Sequence, residues 1–185
     1  MSLGIITALE GARKTMANGE LPEGWSPTTI GAAFDVRQGK SLSAAKQTGL
    51  CTKPFLRTSN VLWGKLELAQ LDQMDFTPKE CEALALEPGD LLVCEGGDIG
   101  RTAIWKGEIQ DCYYQNHLHR LRKRAGDVDP AFVMYWMQAA IKLWNRYEGH
   151  GNSTTIPNLS RSRLLEFEFA FPPLPEQRAI AGVLS

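Results

Sequence analysis

The sequence lacks the long apolar segments of a membrane protein and the opening of a secreted one. No apolar run approaches the roughly 20 residues that span a bilayer. Near the N-terminus, Glu10 interrupts the stretch where a signal peptide keeps its apolar core, and no basic residue comes before Arg13. We therefore expect a cytosolic chain. Its 185 residues, 43% of them hydrophobic, suit one globular domain or one domain with an appendage.

Cysteine is sparse, and no C-x-x-C pair is present. The cysteines are Cys51, Cys81, Cys94 and Cys112. Zinc sites usually show closely spaced ligand pairs, so this wide spacing predicts four buried, reduced thiols and no zinc site. His117 and His119 would share one face of a strand and could bind a metal, but a third ligand is not evident. We expect no metal.

The sequence also lacks the common signatures of catalysis. It has no G-x-x-x-x-G-K-[ST] phosphate loop, G-x-S-x-G elbow or H-E-x-x-H pair. The glycines of "GGDIG" lack the G-x-G-x-x-G spacing and lie in a predicted hairpin, which argues against a dinucleotide site. We expect no cofactor. A thiol nucleophile at Cys94 or Cys112 with a histidine base stays open, because such partners meet only in space.

The net charge of −1 is unusual for a nucleic-acid binder, but the charges are segregated along the chain. Residues 62–100 hold two lysines against nine carboxylates, whereas residues 101–163 hold ten Lys or Arg against five carboxylates. Segregation of this kind can create a strong local field. Alternatively, the acidic and basic stretches fold side by side and neutralise each other.

Short apolar and alternating stretches predict a strand-rich domain. We expect an extended segment after "LPEGW", and strands in "AAFDVRQG" and "PFLRTSNV" on either side of a polar loop over residues 40–53. Residues 91–94 and 103–105 flank a glycine turn and predict a hairpin. The alternation of "CYYQNHLHRLRKR" over residues 114–122 predicts one strand. "EFEFAFPPLP" predicts a last strand that ends at its prolines.

Capping residues and helical spacing predict the helices. Residues 3–17 carry apolar side chains at helical spacing. Thr77 and Glu80 form a capping-box arrangement around Pro78, which predicts a short helix. Asp129 is expected to cap a longer helix that begins at Pro130, and Ser160 can cap a short one.

The C-terminal helix is expected to begin near Pro175 and to continue past the last residue. Only about ten residues follow Pro175, without a C-cap. Ile180, Val183 and Leu184 form an apolar stripe with little left in the chain to pack on.

Five stretches of the chain resemble the target-recognition domain of DNA-specificity subunits from type I restriction–modification enzymes. They occur in the family's order and span about residues 21–185. The stretches are "LPEGW", "PFLRTSNV", "PGDLLVCEGGDIGR", "YYQNHLHRLR" and "TTIPNLSRSRLLEFEFAFPPLPEQRAIAGVLS". The "LP.EQ" pattern after an alternating strand is the most specific feature in that order.

The resemblance implies an α+β, strand-rich, non-catalytic domain that reads double-stranded DNA. It divides the chain into an N-terminal helix (1–20), a target-recognition domain (21–172) and the start of a long spacer helix (173–185). A complete subunit carries two recognition domains, whose spacer helices set the gap of a bipartite target. Its partners are an adenine-methylating modification subunit and a restriction subunit. Two alternatives stay open: the sequence is part of a longer subunit, or it is a half-sized subunit that would have to form a homodimer through the C-terminal helix.

The loop "GHGNSTTIPNLSRSR" has the chemistry that a DNA reader needs. Glycines allow close backbone approach, short polar side chains offer hydrogen bonds, and Arg161 or Arg163 could pair with guanine or phosphate. Because "TTIPNLS" recurs across the family whatever the target, a phosphate-contacting or structural role is expected for that part. The candidate DNA contacts are Lys40, Ser41, Ser43, Lys46, Arg57, Asn60, Arg101, Gln115, Asn116, His117, Arg120, Asn152, Ser153, Thr154, Thr155, Asn158, Arg161 and Arg163.

For each of these residues a structural role is the competing interpretation. Outside this class of function, the alternative is a small cytosolic thiol or histidine hydrolase. Within it, the alternative is a specificity module for a methyltransferase that has no cleavage partner.

Overall fold

A computed structural model describes residues 21–42, 49–144 and 158–185 as an α+β domain. The helix expected over residues 3–17 lies outside these ranges. No helix within them is long and apolar enough to cross a bilayer.

The strands are β1 (Ser26–Thr29), β2 (Phe34–Gln38), β3 (Thr52–Leu56), β4 (Asp72–Asp75), β5 (Leu91–Cys94), β6 (Thr102–Ile104), β7 (Tyr113–Tyr114), β8 (Leu118–Lys123) and β9 (Glu168–Phe171). The helices are α1 (Ile30–Ala33), α2 (Pro78–Leu84), α3 (Pro130–Lys142), α4 (Arg161–Leu165) and α5 (Leu174–Leu184), and a 3-10 turn covers Thr58–Asn60.

β5 lies inside an antiparallel sheet of order β2-β8-β5-β6 and is buried on both faces. Leu91 and Val93 belong to a first core with α3, whereas Leu92 and Cys94 belong to a second core. Successive side chains of a strand point to opposite faces of its sheet. A strand covered on both faces therefore reads as a continuous apolar run, and the predicted hairpin of β5 and β6 is confirmed.

The second core is closed by a smaller sheet of order β4-β3-β7, in which β3 pairs antiparallel with β4 and parallel with β7. Phe76, which follows β4, stacks on Tyr113 of β7 with ring centroids 4.4 Å apart. β1 and β9 form a separate antiparallel pair. The strands predicted in "AAFDVRQG" and "EFEFAFPPLP" are confirmed as β2 and β9.

The caps expected for the helices are present. Thr77 and Glu80 form the capping box of α2, and the Asp129 carboxylate accepts hydrogen bonds from the amides of Ala131 (2.8 Å) and Phe132 (3.3 Å) at the start of α3. The Ser160 hydroxyl caps α4. Each cap satisfies amide groups that the first helical turn leaves without a partner.

Two predictions about strands were wrong. The strand expected over residues 54–61 ends at Leu56, because the Asn60 side chain accepts from the Arg57 amide (2.8 Å) and donates to the carbonyls of Glu67 and Gln70, which closes a 3-10 turn. The alternation over residues 114–122 is interrupted at residues 115–117. Its two halves, β7 and β8, pair with strands of different sheets.

Opposite charges meet on the face of β8 that looks toward α2. Arg122 donates to both carboxylate oxygens of the buried Asp90 (2.8 and 2.7 Å) and to the carbonyl of Ala85 (2.9 Å). Arg120 is buried and pairs with Asp35 at 3.0 Å. At this face, the acidic and basic stretches fold side by side and neutralise each other.

The expectation that the C-terminal apolar stripe has little to pack on was wrong. Ile180 is buried in the first core, and Leu184 packs against that core from its edge. Val183 alone of the three is largely exposed, at 58%. The helix contacts α3, so its apolar face covers the core that α3 builds.

Gln177, from the "LP.EQ" pattern, fixes α5 to the rest of the domain. Its side chain is fully buried. The amide nitrogen donates to the carbonyls of Asp127 (2.6 Å) and Pro172 (2.8 Å), and the amide oxygen accepts from the backbone N–H of Asp129 (2.7 Å). One side chain thus joins the end of β9, the start of α5 and the start of α3.

We expect Gln177→Ala to lower the free energy of unfolding by roughly 2–4 kcal/mol, because it leaves buried backbone polar groups without partners. Urea unfolding followed by circular dichroism measures this. Gln110→Ala, at an exposed glutamine, is the control and should change stability by less than about 0.5 kcal/mol. Equal effects from both variants would contradict the proposed bonding.

Candidate nucleic-acid interface

A polar cleft of about 470 Å³ lies where β5 ends. It is lined by Thr58, Glu95, Gly96, Gly97, His117 and Asn158. These residues come from four segments that are distant in sequence, and each segment belongs to one of the stretches on which the resemblance was based. The fold therefore brings "FLRTSNV", "EGGDIGR", "QNHLHR" and "NLSRSR" to one place.

Backbone hydrogen bonds centred on Glu95 hold these segments together. The Glu95 amide donates to the carbonyl of His117 (3.0 Å), and its carbonyl accepts from the amide of Leu159 (2.7 Å). The Arg101 guanidinium donates to the carbonyl of Thr58 (2.9 Å). The walls of the cleft are thus fixed by main-chain bonds at Glu95 together with the Arg101 side chain.

The glycines after β5 leave one wall open. Gly97 has a φ of 75°, a conformation that favours glycine, and a Cβ placed on Gly96 or Gly97 would meet no atom within 4 Å. The hairpin closes behind them, where the Gly100 amide donates to the carbonyl of Cys94 (2.9 Å). No side chain therefore covers the backbone of this turn at Gly96 and Gly97.

The turn between β7 and β8 forms a second wall. His117 is exposed and Asn116 is half-buried. The Asn116 amide donates to the carbonyl of Lys40 (2.9 Å), and its carbonyl accepts from the Gln38 side chain (2.8 Å). A Cβ on Gly39 would overlap the carbonyl oxygen of Gln115, so only glycine lets these two segments approach so closely.

Asn158 forms the third wall, and two cations follow it on α4. Asn158 is exposed, and α4 begins just after it. Arg161 and Arg163 are exposed on α4; Arg161 donates from Nε to the carbonyl of Val36 (2.9 Å), and Arg163 donates to the carbonyl of Asn158 (3.4 Å). Each guanidinium retains further donors that could reach a ligand.

Four residues that line the cleft were absent from the candidate contacts: Thr58, Glu95, Gly96 and Gly97. Glu95 is the charged one among them. Its side chain is 15% exposed and lines the cleft. The carboxylate accepts a hydrogen bond from the Gln38 side chain (3.0 Å) and lies 4.0 Å from Nε2 of His119. A carboxylate directly after a buried strand and before Gly-Gly was a signal that could have identified it.

Several of the other candidate residues are held in internal contacts. The Lys40 ammonium donates to Glu80 and to the carbonyl of Asp75, both at 2.6 Å. Asn60 closes the 3-10 turn, Arg120 pairs with Asp35, and Gln115 is buried.

Of the remaining candidates, three lie among the described residues and six lie outside them. Arg57 is half-exposed and pairs with Asp72 at 2.7 Å, Arg101 is 17% exposed, and Ser41 is exposed. The others lie outside the described residues: Ser43, Lys46, Asn152, Ser153, Thr154 and Thr155.

The two histidines of the "HLH" stretch have different surroundings. His117 is exposed in the turn, whereas His119 is fully buried, with Nε2 3.2 Å from the carbonyl of Leu159. Burial lowers the pKa of His119 below its ordinary value of 6.5, with a smaller contribution from Arg161, although Glu95 and the Leu159 carbonyl oppose this. Among the described residues, no group of three or more His, Cys, Asp or Glu side chains could hold a metal ion.

The thiols do not have the surroundings of a nucleophile. Cys94 and Cys112 are buried, and burial raises the pKa of Cys94 to about 11 and that of Cys112 to about 12. A reactive cysteine needs a lowered pKa and some exposure. The expectation of four buried thiols was wrong for Cys51, which is exposed, and Cys81 is half-buried.

Fold and cleft together define a recognition domain whose polar site is assembled from loops at the end of a sheet. Residues 22–185 match the family described as the type I restriction modification DNA specificity domain, and the chain belongs to that family.

The chain is similar to a protein described as a specificity subunit and to an HsdS subunit of known structure. A putative type I restriction enzyme MjaX specificity subunit from Methanocaldococcus jannaschii is 23% identical over 180 residues, which cover 90% of this chain and 40% of that protein. The HsdS subunit from Thermoanaerobacter tengcongensis has a similar fold, with a TM-score of 0.63, 19% identity, and coverage of 97% of this chain and 44% of that one.

A chain from a structural study of type I R-M complex assembly and conformational transition gives a TM-score of 0.66 at 18% identity, covering 97% of this chain and 45% of that one. The chain described here thus spans less than half the length of the relatives it matches.

We expect the stability of the domain to fall as the pH drops below about 6.5, because the unfolded chain takes up a proton at His119 that the folded chain resists. The His119 contribution is complete above that pH and is lost progressively below it. His119→Gln should reduce the difference in unfolding free energy between pH 7.5 and pH 5.5. An unchanged difference would mean that other groups cause the pH dependence.

We expect a thiol-specific reagent to modify Cys51 first in the folded protein, since it is the exposed cysteine. Cys94 and Cys112 should react only as the domain unfolds, because they are buried and their pKa values are raised. Mass spectrometry of the labelled peptides measures the order, with Cys51→Ser as the control. Rapid labelling of folded Cys94 would revive the thiol-hydrolase interpretation.

Proposed function

We propose that this chain is a non-catalytic recognition domain that binds double-stranded DNA by sequence and reads one half of a bipartite target. The complex it serves would be a type I restriction–modification enzyme, in which partner subunits methylate adenine and cleave. The observation that supports this most strongly is the convergence of four sequence-distant segments on one cleft at the end of β5. Family membership supplies the class of ligand.

The chemistry of the cleft suits a duplex. Open backbone at Gly96 and Gly97, together with the Arg161 and Arg163 guanidiniums, offers donors for phosphate oxygens. Asn158 and His117 offer side chains that could reach base edges. We place the candidate interface on these residues, with Asn116 at its edge. Arg57, Arg101 and Ser41 stay candidates for flanking contacts.

The other candidate residues are proposed either to support the interface or to contact DNA beside it. Lys40, Asn60, Gln115 and Arg120 are proposed to support the interface from behind, because internal bonds or burial occupy them. Residues 152–155 lie three to six positions before the cleft residue Asn158 in sequence, and they remain proposed contacts together with Ser43 and Lys46.

The partner subunits are proposed on the basis of family membership. Residues 173–185 would begin the spacer helix, on which the modification subunits dock and through which a half-sized subunit would dimerise. Gln177 would then fix the direction in which this helix leaves the domain of residues 21–172.

We expect the complete subunit that carries this domain, when co-expressed with its modification subunit, to methylate a split motif with two defined halves and a fixed gap. Single-molecule sequencing of plasmid DNA maps the methyladenine. Exchanging residues 21–172 for those of a relative should change one half of the motif and leave the other half intact. Absence of methylation from an assembled complex would contradict the proposal.

We expect Arg163→Ala to weaken binding of the complex to all DNA sequences, and to reduce the slope of log K against log salt by about one, since an exposed guanidinium at the cleft would contact phosphate. Fluorescence anisotropy at several salt concentrations measures both. Arg124→Ala is the control, because Arg124 is exposed just after β8, at the end of that strand away from the cleft. Loss of affinity for one sequence only would assign Arg163 to base reading instead.

A further inference from the structure

Glu95 places a negative charge in a cleft that otherwise suits an anion. The guanidiniums of α4, which lie beyond Asn158 of the cleft, and the backbone at Gly96 and Gly97, which no side chain covers, would attract phosphate oxygens, whereas the carboxylate repels them. Among the described residues, no Lys or Arg side chain pairs with Glu95. Nε2 of the buried His119 lies 4.0 Å away, and burial lowers the pKa of this histidine, which disfavours its charged form. The carboxylate is therefore not neutralised by an adjacent cation, and its place in the cleft needs another explanation.

The carboxylate is also held firmly. Its backbone amide and carbonyl bind His117 and Leu159, so the main chain at this point is fixed on both sides. The Gln38 amide donates to Oε2 (3.0 Å) and is itself positioned by the carbonyl of Asn116 (2.8 Å). Oε1 receives no hydrogen bond from the described residues. A fixed acceptor with free capacity, at the edge of a cleft, is suited to select a donor.

The edges of DNA bases differ in whether they donate or accept hydrogen bonds. In the major groove, cytosine N4 and adenine N6 present amino donors, whereas guanine O6 and thymine O4 present acceptors. A carboxylate accepts and cannot donate, so it favours the first pair of bases and repels the second. Phosphate oxygens have no proton to donate and are excluded in the same way.

We propose that Glu95 is a specificity-determining residue that accepts a hydrogen bond from the exocyclic amino group of one base, cytosine or adenine, in the half-site. Gln38 is a positioning residue that holds the carboxylate toward that base. This inference rests on the proposed function, since it requires that the cleft receives a DNA duplex.

The test compares variants of the complete subunit, assembled with its modification subunit, by mapping the methylated motif and by measuring binding to duplexes altered at single positions. With the native chain we expect one position of the half-site to require cytosine or adenine. Glu95→Gln should admit guanine or thymine there, because the amide can donate to O6 or O4. Discrimination at that position should fall by about 10- to 100-fold. Glu82→Gln, at an exposed glutamate on α2, is the matched control and should leave the motif unchanged.

Gln38→Ala provides a second, independent test that keeps the carboxylate. It should weaken discrimination at the same position and at no other, and it carries the test if Glu95→Gln does not fold. Thermal unfolding of each variant establishes which of them is folded.

Three results would overturn the inference. An unchanged motif with tighter binding to every sequence would mean that the carboxylate only repels phosphate. An unchanged motif with unchanged affinity in folded Glu95→Gln would mean that Glu95 does not touch the base. Altered preference at a different position in Gln38→Ala would mean that Gln38 does not position the Glu95 carboxylate for base reading. If the native complex has no sequence preference, the proposed function itself fails, and this inference fails with it.

Discussion

The burial of β5 on both faces is the constraint on which the rest of the structure depends. Leu91 and Val93 face α3, while Leu92 and Cys94 face the core closed by the smaller sheet. Two cores that share one strand cannot move independently, because interiors are closely packed. The position of the cleft follows, since it lies at the residue that comes directly after this strand and its walls are bonded to Glu95.

The same packing decides which charges remain available to a ligand. Arg120 and Arg122 belong to the most basic stretch of the sequence, yet they face inward and bind Asp35 and Asp90. A buried arginine without a partner would be costly, so the pairing of Arg120 with Asp35 helps to complete the fold. Arg161 and Arg163 differ because α4 is a short surface helix that keeps both side chains exposed. The charge that matters for binding is therefore local, although the whole chain is nearly neutral.

Local rules predicted most elements of the fold. Thr77 with Glu80, Asp129 with Pro130, and Ser160 each begin a helix where expected, because a cap involves only neighbours within one turn. Prediction failed where distant contacts prevailed. Asn60 ended an apparent strand by binding Glu67 and Gln70, and Ile180 found a core that α3 provides. The alternation of "CYYQNHLHRLRKR" hid a break, because its two halves serve different sheets.

The sequence by itself determined the class of fold, the caps, the hairpin at the glycines and the resemblance carried by the order of its motifs. Only the tertiary structure decided which polar residues meet and which face solvent. It brought Thr58, Glu95, His117 and Asn158 to one cleft, and it withdrew Lys40 and Arg120 into internal pairs. The physical reason is that capping and periodicity depend on near neighbours, whereas burial and charge pairing depend on segments many residues away.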